Sequence, residues 1–453
     1  MKVTLVKPCW TYPIDRGDST YNRTWPPLSL LNCAAILRKQ NIEVDVIDAS
    51  AERLTPEQVA AKAQHSDMIF ITSASLDRWQ CPNLILKPFL KSVFALKRVH
   101  PNVFVMGTHG TVRPKSILDV TGVKAVIRGE PEITVLKISQ NTPFKDINGL
   151  AYYENNRYMQ TPDPEDIDLS LMPMPAYDLI DINRYNYEIL GGRFALLEAS
   201  RGCPYSCIFC VKSMYGRKFR VKPTEQFIAE IDVIIDQVKA RNAYFIDLEF
   251  TVNRELVECV CDHLIKRRTP ITWCCQTRAD SVDLPILKKM RKAGCQVVHF
   301  GVETGSEKIR QTLHKGITFT QVEDGLLNAR EAGLQTVCFF MFGLPGETKT
   351  DMQETIRFAN RLNPTYASFH IALPYPGTEF HENVKDVLGT ELFPNAYTGE
   401  VPYETLEKLT RQAFRKYYFR PRYIAGRLKD RDFSTFFRQA KFFMAYLKHR
   451  LWS

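Results

Sequence analysis

Short apolar runs of strand length alternate with helical patterns along most of this chain, and that alternation restricts it to α/β architectures built on parallel sheets. Strand candidates fall at residues 3–6, 44–47, 68–72, 103–106 and 125–127, with helices near 28–39, 56–64 and 84–99 between them. The runs are continuously apolar rather than alternating, as expected of strands covered on both faces. From Arg193 the pattern restarts. Six further strand candidates, at 194–198, 243–247, 272–276, 296–301, 335–340 and 368–373, interleave with helices near 223–239, 254–267, 284–293, 319–332 and 349–362. Six strands of this kind predict a partial barrel. At 453 residues and 45% hydrophobic content the chain can bury more than one core. Its expected organisation is a Rossmann-like sheet over 1–150, a proline-punctuated linker over 151–190, the barrel over 191–400 and a helical tail over 401–453.

Ligands of such sheets and barrels sit beyond the carboxyl ends of the strands. Just after the first barrel strand stands Arg201-Gly-Cys-Pro-Tyr-Ser-Cys-Ile-Phe-Cys, with Cys203, Cys207 and Cys210 at C-x3-C-x2-C spacing. A cubane [4Fe-4S] centre normally takes four thiolates, so three would leave one iron open to a ligand. A structural zinc site needs four ligands, and no Cys or His partner lies at finger spacing nearby. The other nine cysteines mostly lie in apolar stretches and read as core filling.

The three-cysteine loop resembles that of the radical S-adenosylmethionine (SAM) family. The resemblance implies that the free iron chelates SAM and that the reduced cluster cleaves it to a 5′-deoxyadenosyl radical, which takes hydrogen from an unactivated carbon. Further strand-end motifs match that core in order. Asp247-Leu-Glu-Phe-Thr takes the place of the acidic motif that holds the SAM amino group, with Asp247 or Glu249 making the contact. Thr277-Arg-Ala-Asp and Gly301-Val-Glu-Thr-Gly-Ser resemble the segments around the SAM carboxylate and ribose. In them Arg278 is suited to fork onto a carboxylate, Glu303 to accept from ribose hydroxyls, and Ser306 closes the motif; Arg278 pairing with Asp280 is the structural alternative. Gly343-Leu-Pro-Gly-Glu-Thr and Pro374-Tyr-Pro-Gly-Thr look like the adenine-side and barrel-closing loops, and Phe209 of the cysteine loop joins the SAM set. No general acid, base or hydrogen donor is singled out; Tyr215, Tyr375 and Cys338 merely lie near strand ends.

The first 150 residues resemble the cobalamin-binding-type domain that precedes many radical SAM cores, especially in the subgroup of the anaerobic magnesium-protoporphyrin monomethyl ester cyclase and the hopanoid-modifying enzymes. Trp25-Pro-Pro, Gly107-Thr-His-Gly-Thr and Val126-Ile-Arg-Gly-Glu carry that likeness. The resemblance implies cobalamin contacts from Ser73, Ser75, Gly107, Thr108, His109, Gly110, Gly129 and Glu130. The Asp-x-His-x-x-Gly motif is absent, so cobalt would bind without that lower ligand or not at all. The alternative is a retained sheet that shapes the substrate pocket.

The charge sits in the tail. Residues 411–453 hold twelve Lys/Arg against two Asp/Glu, a balance equal to the +10 of the whole chain. Phe433, Phe436, Phe437, Ala440, Phe443, Met444, Leu447 and Leu451 recur there at helical spacing. A basic amphipathic helix of this kind suits an anionic membrane surface or docking onto the barrel. The sequence shows no leader and no apolar run long enough to cross a membrane, so a cytoplasmic protein, or one peripheral to the inner face of the membrane, is expected.

The expected activity is C-methylation or oxidative cyclisation of an apolar, lipid-like or tetrapyrrole-like small molecule, with the [4Fe-4S] cluster, SAM and cobalamin as cofactors. Flavodoxin or ferredoxin is the expected electron donor. The alternatives are a cobalamin-independent dehydratase, epimerase or coupling enzyme, and a non-catalytic iron–sulfur or corrinoid sensor. Nucleic acid is not expected as a partner, since no RNA-binding module is appended.

Overall fold

The computed structural model describes residues 1–10, 24–76, 86–268, 271–388, 393 and 396–429. Five parallel strands open the chain: β1 (Lys2–Lys7), β2 (Glu43–Asp48), β3 (Met68–Thr72), β4 (Val103–Met106) and β5 (Ala125–Ile127), in the order 2-1-3-4-5. Side chains alternate across the sheet into two cores. Val3, Leu5 and Phe70 pack beneath helix Leu28–Lys39, while Val6, Ile69 and Ile71 join a second core that includes Val59 and Phe89 of helices Pro56–Ala63 and Lys87–Val99. Helices on both faces explain why these strands are continuously apolar.

The sheet continues where a linker was expected. Strands β6 (Leu150–Glu154) and β7 (Arg157–Gln160) extend it antiparallel from β5. Asn155 and Asn156 join them, both at positive φ (48° and 62°), the backbone a two-residue hairpin turn demands. This hairpin lies at the sheet edge and exposes Tyr153, Glu154 and Met159, so its composition reads as polar.

The second sheet has six parallel strands in chain order: β8 (Phe194–Leu197), β9 (Asn242–Phe245), β10 (Thr272–Thr277), β11 (Cys295–Glu303), β12 (Gln335–Phe342) and β13 (Tyr366–Ile371). Helices Thr224–Asp236, Arg254–Arg267, Leu284–Lys292, Phe319–Glu331 and Lys349–Leu362 make the crossovers. One face meets these helices, as where Phe245 contacts Phe227 at 5.7 Å. The other carries a row of rings, Tyr244, His299, Phe339 and His370, with centroids 5.1, 5.8 and 6.0 Å apart. β8 and β13 do not pair, which leaves the barrel partial.

Helix Tyr403–Tyr418 covers the open edge at β13. Tyr418 Oη accepts from the Ala367 N–H and donates to the Ala367 carbonyl (3.0 and 2.8 Å), and the Tyr423 hydroxyl donates to the Thr365 carbonyl at 3.0 Å. Phenols thus satisfy edge groups that would otherwise invite another strand. Part of the aromatic C-terminal segment is barrel edge, whereas the stripe from Phe433 to Leu451 lies outside the described residues. Among those described, no helix is long and apolar enough to cross a membrane.

The two sheets are packed together. Trp25 sits in the barrel core against Tyr187 and Tyr244 (5.2 and 5.6 Å). The buried Lys7–Asp48 pair at the carboxyl ends of β1 and β2 accepts a hydrogen bond from the Tyr185 hydroxyl at 3.1 Å.

Candidate active site

The cysteine loop follows β8 and is closed at its base by an antiparallel ladder in which Ser200–Arg201 pairs with Arg220–Val221. Cys203 is buried, and Cys207 and Cys210 are half-buried. Ile208 pins the loop, donating its N–H to the Leu313 carbonyl (3.2 Å) and accepting from the Phe380 N–H (3.0 Å). Burial pushes the Cys203 and Cys207 thiols above their ordinary range; Lys212 beside both, and Lys315 beside Cys207, act in the opposite direction. Cations placed this way offset the charge that thiols gain when they become metal ligands. Among the described residues no group of three or more His, Cys, Asp or Glu converges on a single metal ion. Three thiols spread around one loop suit a multi-atom cluster better than one zinc.

The two candidate acids differ. Asp247, at the end of β9, is buried and accepts from the Ser200 hydroxyl and the Ala199 N–H (3.3 Å). Burial lifts its pKa to about 6. Glu249 has a buried Oε2 with no hydrogen-bond partner, and burial, opposed by Lys315 and Arg278, lifts its pKa to about 7. An orphaned carboxylate oxygen electrostatically linked to Cys203 is where an incoming ammonium would be stabilised.

Arg278 takes the structural alternative, the pairing with Asp280. Nε and Nη2 both donate to Asp280 (2.8 and 2.7 Å), Nη1 donates to the Lys315 carbonyl (2.7 Å), and the guanidinium lies 4.0 Å from the Tyr205 ring centroid. The fork expected to meet a SAM carboxylate is occupied by its near neighbour. A second cation of this region is Lys315, a residue the motif reading missed. Its buried ammonium donates to Glu303 Oε1 at 2.6 Å and to the Gly301 carbonyl at 2.7 Å. Glu303, expected at the ribose, is therefore ion-paired, at a β-bulge and a positive φ of 71°. A Cβ at Gly301 would lie 2.3 Å from Glu303 Oε1 and 2.5 Å from Lys315 Nζ, so a larger residue there would displace this pair. Ser306 donates to Asp351 at 2.6 Å and starts helix Glu307–Thr312.

In the next loop the buried Glu347 accepts from the Gly343 and Leu344 N–H groups (2.7 and 3.0 Å), which fixes Gly343 at a positive φ of 86°. Burial raises the Glu347 pKa to about 8. Phe209 packs against the small core of Ile208, Leu344 and Phe380, and Pro374 is buried after β13. Cys338 and Tyr215 are buried, the latter with its ring 5.5 Å from the Arg201 guanidinium.

At the carboxyl edge of the first sheet, Ser73 Oγ accepts from the His109 N–H at 3.3 Å. His109 is fully buried, between Phe89 (6.4 Å) and the edge of Phe393 (4.9 Å). Gly107 stands at φ 99° and Gly129 at φ 70°; a Cβ at Gly110 would lie 2.6 Å from Val126 Cγ1. Ser75 is half-buried nearby in sequence. Glu130, expected beside a corrinoid, is bound instead to Arg201 and Arg220 of the barrel domain. The buried polar atoms of this edge without hydrogen-bond partners include Thr108 Oγ1 and Trp10 Nε1. A ligand over the strand ends fits those two atoms; Glu130 and His109 are already enclosed by protein.

A six-stranded parallel barrel whose first strand end presents three thiols, followed by an orphaned carboxylate, defines an iron–sulfur enzyme of radical type. Residues 197–359 match the model of the radical SAM superfamily. The chain is 31% identical over 447 residues to an uncharacterised methyltransferase of Pyrococcus horikoshii, covering 94% of each protein. It is 25% identical over 470 residues to the anaerobic magnesium-protoporphyrin IX monomethyl ester cyclase of Cereibacter sphaeroides, covering 95% of this chain and 74% of the cyclase. Its fold matches that of TsrM from Kitasatospora setae, a radical SAM methyltransferase solved with cobalamin and a [4Fe-4S] cluster, at a TM-score of 0.68 and 16% identity over 85% of this chain and 75% of TsrM. The chain belongs to the radical SAM superfamily. It is an enzyme whose cofactors include a [4Fe-4S] cluster and SAM, and its reaction draws on a reductant.

Proposed function

We propose that this protein is a cobalamin-dependent radical SAM enzyme that methylates, or oxidatively cyclises, an unactivated carbon of an apolar substrate of lipid or tetrapyrrole type. The observation that carries this reading is the presence of buried, unpartnered polar atoms at both strand-end edges: Glu249 Oε2 in the barrel, and Thr108 Oγ1 and Trp10 Nε1 in the first sheet. Relatives named as a methyltransferase and a cyclase, matched over 94% and 74% of their own lengths, support it. When bound, the cluster and SAM supply the hydrogen-abstracting radical, and the corrinoid a methyl group or a redox partner.

The chain's own residues bind and orient. Cys203, Cys207 and Cys210 hold three irons. Glu249 takes the SAM ammonium, with Lys315 as the nearby cation, and the Gly301, Gly343 and Pro374 loops bracket the nucleoside beside Phe209. Flavodoxin or ferredoxin delivers the electron. The tail contacts an anionic membrane surface, a role supported by exposed Phe419 and Ile424 among exposed Arg415, Lys416 and Arg422.

A corrinoid-free reading is favoured by one observation, the commitment of Glu130 and His109 to protein contacts. Iron and cobalt per chain after anaerobic purification from corrinoid-fed cells separate the two. Iron with near-stoichiometric cobalt supports the proposal; iron without cobalt moves the activity to direct deoxyadenosyl-radical chemistry. Absence of 5′-deoxyadenosine after reduction with SAM would leave a sensor.

A further inference from the structure

The base of the cysteine loop holds an arrangement that the cofactors do not explain. Arg201 and Arg220 stand directly opposite each other in the ladder that closes the loop, and both guanidiniums are less than a tenth exposed. Like charges at facing positions of a ladder repel, and burial strengthens the repulsion. Glu130 lies between them. Its Oε2 accepts from Arg201 Nη1 at 2.6 Å and its Oε1 accepts from Arg220 Nη2. Other contacts complete the pair: Arg201 reaches Glu132 (2.6 Å) and Glu198 (3.0 Å), and Arg220 reaches the Ile167 and Tyr215 carbonyls (3.0 and 3.1 Å), while its Nε is buried without a hydrogen-bond partner. Among the described residues Glu130 is the carboxylate hydrogen-bonded to both arginines, and it comes from the first sheet, 71 residues before Arg201.

The loop has little slack above this point. Gly202 follows at φ 81°, and a Cβ there would lie 2.1 Å from the Lys218 carbonyl oxygen. The placement of Arg201 is therefore passed directly to Cys203, two residues on.

We propose that Glu130 is a positioning residue for the iron–sulfur cluster: a carboxylate from the N-terminal domain that neutralises the facing Arg201 and Arg220 and so keeps shut the loop carrying Cys203, Cys207 and Cys210. Glu130 acts through the two arginines rather than on the cluster itself. Cluster retention then depends on a domain outside the barrel, whatever that domain binds.

The test uses the full chain, reconstituted anaerobically, as wild type, Glu130→Gln, Arg220→Met and the Glu130→Gln/Arg220→Met double variant. Iron release to a chelator and the electron paramagnetic resonance spectrum of the reduced cluster are measured, with circular dichroism and cobalt content alongside. Glu130→Gln keeps the shape but removes the charge, and it is expected to release iron at least roughly tenfold faster with an altered spectrum. The double variant, with no facing like charges, is expected to return toward wild type. An unchanged release rate and spectrum in Glu130→Gln overturns the proposal, as does a double variant no better than the single one. If Glu130→Gln does not fold, Arg220→Met decides, because it removes the repulsion and leaves Glu130 on Arg201: wild-type-like iron retention supports the proposal, and faster release overturns it.

Discussion

Both parallel sheets of this chain end in loops rich in charged and polar residues, but they use them in opposite ways. In the barrel, the carboxylate oxygens Glu249 Oε2 and Glu347 Oε1 are buried without hydrogen-bond partners, while the neighbouring Arg278 is tied to Asp280, Glu303 to Lys315 and Ser306 to Asp351. In the first sheet the charged groups are the committed ones. Glu130 and Glu132 hold arginines of the barrel, and Lys7 holds Asp48. Among the buried atoms that the first sheet leaves without hydrogen-bond partners are the Thr108 hydroxyl and the Trp10 indole N–H. Carboxylate oxygens are therefore left unpaired at one edge, and carboxylates dock the two sheets at the other. A polar atom can be assigned to ligand binding only after its protein partners are counted.

The largest expected effect breaks the barrel side of this comparison. Cys203→Ala leaves two thiolates, and iron per chain should fall from about four toward zero after anaerobic reconstitution, with 5′-deoxyadenosine formation lost. Retention of full iron and SAM cleavage would show that the loop is not the cluster site.

Next in size is the contrast between the two acids. Glu249→Gln should weaken SAM binding by about 1.5–3 kcal/mol, measured as Kd by calorimetry, because a charge-assisted contact is replaced by a neutral one. Asp247→Asn should leave that Kd nearly unchanged and instead lower stability by about 1–3 kcal/mol, since Asp247 holds Ser200 and the Ala199 N–H. The reverse pattern would assign the ammonium to Asp247.

A pH dependence follows from the same residue. With the Glu249 pKa lifted to about 7, the ligand-free carboxyl takes up a proton as pH falls below neutral, and only the ionised form attracts an ammonium. The Kd for SAM should therefore rise by up to about tenfold per pH unit below 7 and level off above it. In Glu249→Gln the contribution of this group should vanish, and a wild-type profile that is flat between pH 5.5 and 8 would remove Glu249 from the contact.

Much of this contrast was legible from local pattern. The strand and helix periodicities recover both parallel sheets to within a few residues, because each crossover buries one helical face against continuously apolar strands. The cysteine spacing and the paired acids stand on a single strand end each, so their proximity needs no tertiary knowledge. What the sequence hid was long-range pairing. Nothing near Glu130 announces Arg201 or Arg220, Lys315 belongs to no recognisable motif, and Tyr418 meets the β13 edge across 51 residues. The β6–β7 hairpin was hidden for another reason: an edge hairpin with one solvated face has the composition of a linker, and Asn155-Asn156 was its only local signal.

The smallest expected effect is also the one that bears most directly on the first sheet. Thr108→Val is nearly isosteric and removes a buried hydroxyl that has no partner within the protein. In the ligand-free protein the change should stabilise the fold by about 1 kcal/mol, because an unmade hydrogen bond is deleted along with its desolvation cost. If a corrinoid uses that hydroxyl, the same substitution should weaken cobalamin retention several-fold, so the two readouts move in opposite directions. Higher thermal stability with unchanged cobalt content would mark Thr108 as a tolerated defect of a sheet that mainly supports the barrel. Higher stability with cobalt lost on desalting would give the first sheet a ligand edge of its own, built from neutral donors because its carboxylates are already paired with the arginines beneath the cysteine loop.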